Sequence, residues 1–241
     1  MKIIVISKTD YKEKDVIINA ISEEGSISFK VRGGQIPGSA FYWVNNPLSI
    51  ADVEYVENVR YVHQILKSAN LIYSPLHSDL KLNKLLTINL VVEIMNKMLQ
   101  EEERYLLFHD IEDYFKATEL EKNYHLAELI FIAKAIKVAG SEPEVNKCVY
   151  CGTKEKIVAF SFAEGGFICK KCLQEDMAID LTPVQMQIVR FLFNVKNFAY
   201  LPVEKMNVKD LKAVFINFRN YISDAIGINL ETIDLIANEI E

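Results

Sequence analysis

Cysteine is absent from this 241-residue sequence except in one short stretch, where all four occur. The rest of the chain therefore has no means of forming a disulfide framework, and the clustering agrees with a reducing compartment. No apolar run approaches the ~20 residues of a membrane helix. The opening Met1-Lys2-Ile3-Ile4-Val5-Ile6-Ser7 has too short an apolar run for a secretory signal and no small-residue cleavage site. A cytoplasmic protein with no membrane partner is expected. A phosphate loop, a dinucleotide fingerprint, a nucleophile elbow and a zinc-protease motif are all missing. The four histidines, His63, His77, His109 and His125, have no partner at ligand spacing. His109-Asp110 and Glu112-Asp113 lie on an amphipathic pattern and read as a solvated face. Nothing here supports an enzyme. Internal repeats and low-complexity segments are lacking too. So is a basic excess: the net charge of −6 argues against a chain coated in nucleic acid along its whole surface.

What is present centres on Cys148-Val149-Tyr150-Cys151-Gly152 and Cys169-Lys170-Lys171-Cys172, a C-x2-C-x17-C-x2-C pattern. A two-residue gap lets two thiolates of one tight turn face the same ion, and two such turns complete a tetrahedron. Gly152 suits a knuckle needing a left-handed backbone. Ile157 to Phe162 alternates like a strand, Glu164-Gly165-Gly166 reads as a turn, and Phe167-Ile168 as a returning strand. Disulfides do not suit a chain with no secretory mark, and a redox pair needs no second CxxC. Four thiolates leave no open coordination position. A structural ion, one per chain, is therefore expected on Cys148, Cys151, Cys169 and Cys172, with iron open beside zinc because thiolates suit both.

Residues 1 to about 70 read as β. The expected strands are Ile3 to Ile6, Val16 to Ile21, Ser26 to Arg32, Pro47 to Tyr55 and Val59 to Lys67, with Thr9 to Lys14 a polar connection and Gly33 to Ser39 a loop. Five short strands suit a small barrel of the OB type, though spacing alone does not separate it from an SH3-like barrel. From about Ser78 the period turns helical. Asp79 can cap a helix running to about Glu101. Further helices are expected over Arg104 to Ala117, Tyr124 to Ala139 (stopped by Gly140), Thr182-Pro183 to Phe193, Val208 to Ala225 (ending at Gly227), and from Glu231. The expected class is α+β: a barrel over residues 1–75, then a helical domain over 76–241 with the cysteine hairpin 148–172 inserted.

Residues 1–75 carry eight basic and eight acidic groups, and residues 148–175 four basic against three acidic, so the acidity lies in the helical parts. Lys8, Lys12 and Lys14 crowd the first β connection beside Tyr11, while Lys30 and Arg32 share a face of the third strand. Tyr42 and Trp43 follow the glycine-rich loop. Cations beside rings on a small barrel are what single-stranded nucleic acid needs: charge tracks phosphates and rings stack on bases. These seven residues, Lys8, Lys12, Lys14, Lys30, Arg32, Tyr42 and Trp43, are the candidate nucleic-acid contacts. Asp10, Glu13 and Asp15 dilute the patch. Lys154, Lys156, Lys170 and Lys171 make a second basic surface.

The order of parts and several short motifs resemble the RecO family of bacterial recombination mediators. Those motifs are Lys8-Thr9-Asp10-Tyr11 through Asp15, Glu24-Gly25-Ser26-Ile27, Pro47-Leu48-Ser49, Leu66-Lys67-Ser68-Ala69, the cysteine segment with Phe160-Ser161 and Gly165-Gly166, and Tyr221-Ile222 with Ile226-Gly227. The resemblance implies an OB domain, a helical domain and a zinc finger. It implies binding to single- and double-stranded DNA, annealing of complementary strands, and work at the nucleoid. With RecR, such a protein loads RecA onto DNA covered by single-strand-binding protein, whose C-terminal tail is an implied partner. One departure stands out. Where family members carry a basic loop, this chain has the uncharged Gly33-Gly34-Gln35-Ile36-Pro37-Gly38-Ser39, so DNA binding that leans on a partner is expected. A protein-interaction scaffold with little DNA affinity, or an RNA-binding zinc-ribbon protein, are the alternatives.

Overall fold

A computed structural model of the chain describes residues 1–57, 62–76, 82–119, 124–198 and 206–240. His77, Asp79 and the expected strand start at Val59 lie outside the described residues. The chain divides into two compact units, Met1–Glu112 and Asp113–Glu241.

The first unit is built on five strands: β1 (Lys2–Tyr11), β2 (Asp15–Ser22), β3 (Gly25–Val31), β4 (Ile50–Val56) and β5 (Gln64–Tyr73). They close in the order β1-β2-β3-β5-β4, and β4 returns to β1. Every pairing is antiparallel except β3 with β5, which meet in parallel at Phe29↔Gln64 and Lys30↔Ile65. That seam is the OB arrangement and settles the choice that strand spacing left open. Strand alternation sends one side of each strand inward. Ile3, Val5, Val16, Ile18, Phe29, Val31, Val53 and Leu66 meet in one buried cluster. β1 serves two neighbours by bending at a register shift between Val5 and Ser7, pairing β4 with its first residues and β2 with the rest.

Several strand limits differ from the sequence reading, two of them by a wide margin. β1 runs on to Tyr11 through residues expected as a polar connection, because ladder hydrogen bonds join backbones and tolerate polar side chains beyond the core. β5 reaches Tyr73, well past the expected end at Lys67. The expected domain limit at residues 75–76 falls just after β5. The compact unit containing the barrel extends further, through α1 (Leu82–Glu93), a π turn at Ile94–Met98 and a 3-10 turn at Arg104–Leu107. Ser26 Oγ donates to Glu101 O at 2.5 Å, and Lys2 pairs with Glu112 at 3.0 Å.

α2 (Phe108–Glu119) crosses the division between the units. The second unit contains α3 (Tyr124–Val138), β6 (Ile157–Ser161), β7 (Gly166–Cys169), α4 (Pro183–Asn194), α5 (Val208–Tyr221), a π turn at Ile222–Ile226 and α6 (Glu231–Glu239). α3 is apolar on every side, with Leu126, Leu129, Ile130, Phe131 and Ile136 all fully buried, so it is the post around which this unit packs. Gly140 ends it with φ +70° and Gly227 closes the π turn with φ +76°, the left-handed stops expected from sequence. Thr182 caps α4 in a reciprocal box with Gln185, and Pro183 is its first residue. No helix among the described residues is long and apolar enough to cross a membrane.

Gly34 sits where the loop after β3 lies against the barrel wall. A Cβ there would fall 2.6 Å from Val16 Cγ2. Gly34→Ala is expected to lower stability by about 1–3 kcal/mol through overpacking, read as an earlier urea midpoint at unchanged slope.

Candidate metal centre and nucleic-acid rim

The cysteine segment is a hairpin of β6 and β7, paired at Ile157↔Cys169, Ala159↔Ile168 and Phe160↔Phe167. Phe160, Phe167 and Ile168 are buried beneath it. Gly166 is pressed against the chain leading into the first knuckle: a Cβ would stand 2.2 Å from Glu144 O, so only glycine passes. Phe167 N–H donates to Glu144 O at 2.9 Å, Glu144 N–H donates to Gly165 O at 2.8 Å, and Val149 N–H reaches Phe167 O at 2.9 Å. In the first knuckle Gly152 N–H donates to Cys148 O at 2.9 Å with φ +71°, and in the second Cys172 N–H donates to Cys169 O at 3.0 Å.

These turns bring all four sulfurs within 4.8 Å of one another, and Cys151 and Cys169 Sγ are 3.7 Å apart. A tetrahedron of zinc–sulfur bonds has sulfurs about 3.8 Å apart, so the set fits a thiolate-bound ion. Cys148 and Cys172 shift in opposite directions. Burial opposes ionisation of Cys148, yet the N–H groups of Cys169, Cys151 and Tyr150 point at its sulfur and bring its pKa down to about 6. Burial, then hydrogen bonding to Cys151, Cys169 and Cys148, pushes Cys172 up to about 12. A bound divalent ion supplies the positive charge that four neighbouring thiolates need.

Five of the seven candidate contacts, Lys8, Lys12, Lys14, Lys30 and Arg32, lie on or beside the outer ends of β1, β2 and β3. Lys8 Nζ donates to Asn45 Oδ1 at 2.9 Å and pairs with Asp10 at 3.1 Å. Lys30 pairs with Asp15 at 3.4 Å and lies 4.8 Å over the Tyr11 ring, with Lys12 5.4 Å from the same ring. Lys12, Lys14 and Arg32 are exposed and make no salt bridge among the described residues. Tyr42 is 45% exposed. Trp43 is a correction: it is buried in the barrel core and offers no face to a base. Both residues sit on a 3-10 turn (Tyr42–Asn45), where successive side chains point about 120° apart, so one faces out and the next in. Tyr11, 37% exposed between two cations, is the ring that the stacking assignment passed over. Its place among Lys8, Lys12 and Lys14 was the available sequence signal.

Asp15 organises this rim. Its carboxylate accepts the Gly33 N–H at 3.1 Å, which holds its pKa below the usual range; Lys30 and the charge of Arg32 add to that. The uncharged loop has its own task. Gln35 N–H bonds Lys14 O at 3.0 Å, and its amide donates to Asp15 O at 2.7 Å and Lys12 O at 3.2 Å, clasping the β1–β2 turn. The described histidines have ordinary partners. His63 meets Ser28 at 2.7 Å, His125 meets Glu128 at 3.0 Å, and His109 lies between Glu112 at 3.5 Å and Glu23 at 3.8 Å.

Protons compete with metal for sulfur, so retention is expected to be full at neutral pH and to fall only on acidification well below it, because a bound cation keeps the thiolates ionised below the free thiol range. Elemental analysis across a pH series checks this. Cys169→Ser is expected to lose the ion at neutral pH as well and to unfold earlier on heating.

The family model described as "Recombination protein O C terminal" matches residues 80–227. Among curated relatives, the DNA repair protein RecO of Halalkalibacterium halodurans is 24% identical over 234 residues, covering 95% of this chain and 90% of that protein. That of Exiguobacterium sibiricum is 28% identical over 201 residues, covering 81% and 79%. That of Bacillus subtilis is 24% identical over 218 residues, covering 88% and 84%. With an OB barrel, a helical unit and a four-cysteine hairpin already in this order, and a family match over more than half its length, the chain belongs to the RecO family.

Proposed function

We propose that this chain is a non-enzymatic, DNA-binding recombination mediator in DNA repair. In this reading it binds and anneals single-stranded DNA. With RecR it helps load RecA onto DNA covered by single-strand-binding protein, engaging the C-terminal tail of that protein. Residues 1–75 serve as the DNA-binding barrel and 76–241 as the helical domain, working in the cytoplasm at the nucleoid. Cys148, Cys151, Cys169 and Cys172 hold one structural Zn2+ per chain.

The observation that carries the reading is the rim of a family-typical OB barrel. There Lys12 and Lys30 flank the exposed Tyr11 ring, Lys8, Lys14 and Arg32 lie on the same strand ends, and Tyr42 is exposed on the turn whose Asn45 bonds Lys8. Cations neutralise phosphates without reading sequence, and rings stack on any base, which is the combination annealing requires. The same rim holds Asp10, Glu13 and Asp15, two of which already pair with Lys8 and Lys30. DNA binding by the isolated chain is therefore modest, and a partner such as RecR strengthens it.

Annealing of two complementary labelled oligonucleotides, bare and then coated with single-strand-binding protein, tests the reading across a salt series. Acceleration that fades with salt is expected in both conditions; no acceleration by folded, metal-loaded protein, alone or with RecR, would sink it. In the double variant Lys30→Glu with Arg32→Glu, the slope of log affinity against log salt is expected to flatten by about 1–2, one step per lost phosphate contact. Asp15→Asn keeps an acceptor for the Gly33 N–H but removes the charge facing Lys30. It is expected to tighten single-strand binding a few-fold at low salt, measured by fluorescence anisotropy.

A further inference from the structure

The four cysteines of the cluster are not equally reachable. Cys148 and Cys169 are 1% and 2% exposed, Cys172 is half-buried, and Cys151 alone among them is exposed. The backbone explains the difference. Cys169 is the last residue of β7, and Cys148 lies against it, its Sγ accepting the Cys169 N–H at 3.4 Å. Cys151 stands at the outer end of its knuckle, between Tyr150, which is itself exposed and tied through its hydroxyl to Glu164, and Gly152, which has no side chain to cover a sulfur. A second sulfur is within reach from the other knuckle, since Cys169 Sγ is 3.7 Å from Cys151 Sγ. A disulfide has its sulfurs about 2.05 Å apart, so a movement of roughly 1.7 Å would join the two. Lys170 and Lys171 follow Cys169 directly. Both are exposed, and neither makes a salt bridge among the described residues. An accessible sulfur among cations is the setting in which a thiolate is reactive.

We propose that Cys151 is a site of oxidation by hydroperoxides, with Cys169 completing the reaction as a disulfide between the knuckles. The Cys151 thiolate attacks one peroxide oxygen, the O–O bond breaks and hydroxide leaves, so that the sulfur becomes a sulfenic acid. The Cys169 thiolate then attacks that sulfur, the S–O bond breaks and a second hydroxide leaves. Two thiolates and one hydrogen peroxide give one disulfide and two hydroxides; the sulfurs lose two electrons and the peroxide takes them. The reaction removes two of the four ligands, so an ion held by four thiolates is released, and a covalent bond joins the knuckles in its place. A dithiol reverses the change by attacking the exposed Cys151 sulfur. Release rests on the structural-ion reading, whereas the choice of cysteine rests on exposure and spacing alone.

The test uses the full chain, with its zinc content first measured by elemental analysis, and hydrogen peroxide as the oxidant. A metallochromic chelator follows zinc release. Blocking of free thiols with N-ethylmaleimide and peptide mass mapping then locate the disulfide. Zinc is expected to leave in step with a Cys151–Cys169 disulfide, and dithiothreitol with added zinc is expected to restore binding. Cys151→His keeps a fourth zinc ligand without an oxidisable sulfur, and is expected to slow release by about tenfold or more. Cys172→His leaves Cys151 and Cys169 in place and is expected to release at close to the parent rate. A first disulfide that excludes Cys151 overturns the proposal, as does a cluster that forms no disulfide under peroxide. So does a metal-loaded Cys151→His chain that releases zinc as fast as the parent. Should either variant fail to fold, the mapped disulfide of the unsubstituted chain decides the matter. A chain purified without metal would count against the structural-ion reading alone, because the order of thiol oxidation still shows whether Cys151 reacts first.

Discussion

Four sulfurs held at contact distance are the constraint on which the second unit depends. A two-stranded hairpin alone is marginal in water, and β6–β7 gains its burial, seven of nine strand residues, from the chain packed around it. Two knuckles at its open end place Cys148, Cys151, Cys169 and Cys172 within 4.8 Å of one another. Four thiolates at that spacing repel, and four thiols waste the inward-facing N–H groups, so the cluster is poised for a cation. The opposed shifts of Cys148 and Cys172 express the same conflict: the first ionisation is helped by backbone donors, and the last is resisted by burial and by the sulfurs around it. A cation bound there would tie the two knuckles of the hairpin together.

The barrel solves a different problem, that of a closed sheet with a working end. The parallel β3–β5 seam and the bend in β1 close the cylinder over a core of branched aliphatic side chains with Phe29 and Trp43. Beyond the core, β1 continues through Lys8, Thr9, Asp10 and Tyr11 with exposed side chains and turns into β2 through Lys12, Glu13 and Lys14. Asp15 and Gln35 brace it from beneath, one through a charge and one through neutral hydrogen bonds. The uncharged loop 33–39 is a clasp on the β1–β2 turn, and Lys12, Lys14 and Arg32 stand exposed beside it.

Charge is thus distributed by task. The helices carry the acidity, and cations concentrate at the barrel rim and on the cysteine hairpin. The two basic places differ in what surrounds the charge. At the rim, Tyr11 stands exposed between Lys12 and Lys30. Beside β6, aliphatic side chains stand among Lys154, Lys156 and Arg190.

Much of this was legible in the residues themselves. The cysteine spacing identifies the four ligands because two-residue gaps act locally, and Thr182-Pro183, Gly140 and Gly227 mark helix ends because capping is local too. The strand alternation and the change of period near residue 78 define a barrel followed by helices. What depended on tertiary structure were features made by residues distant in sequence. Strand spacing does not say which strands pair, so the OB order emerged only with the β3–β5 seam. Tyr42 and Trp43 are alike in sequence, and a single 3-10 turn sends one to solvent and the other to the core. Lys30 is one of five rim cations in the sequence, but folding ties it to Asp15 and lays it over Tyr11. Backbone pairing extended β1 through polar residues, against the hydrophobic pattern, because a ladder needs amides and not apolar side chains. A groove beside β6 joins residues 154–158 to residues 183–190, a meeting of hairpin and helix that no local pattern announces.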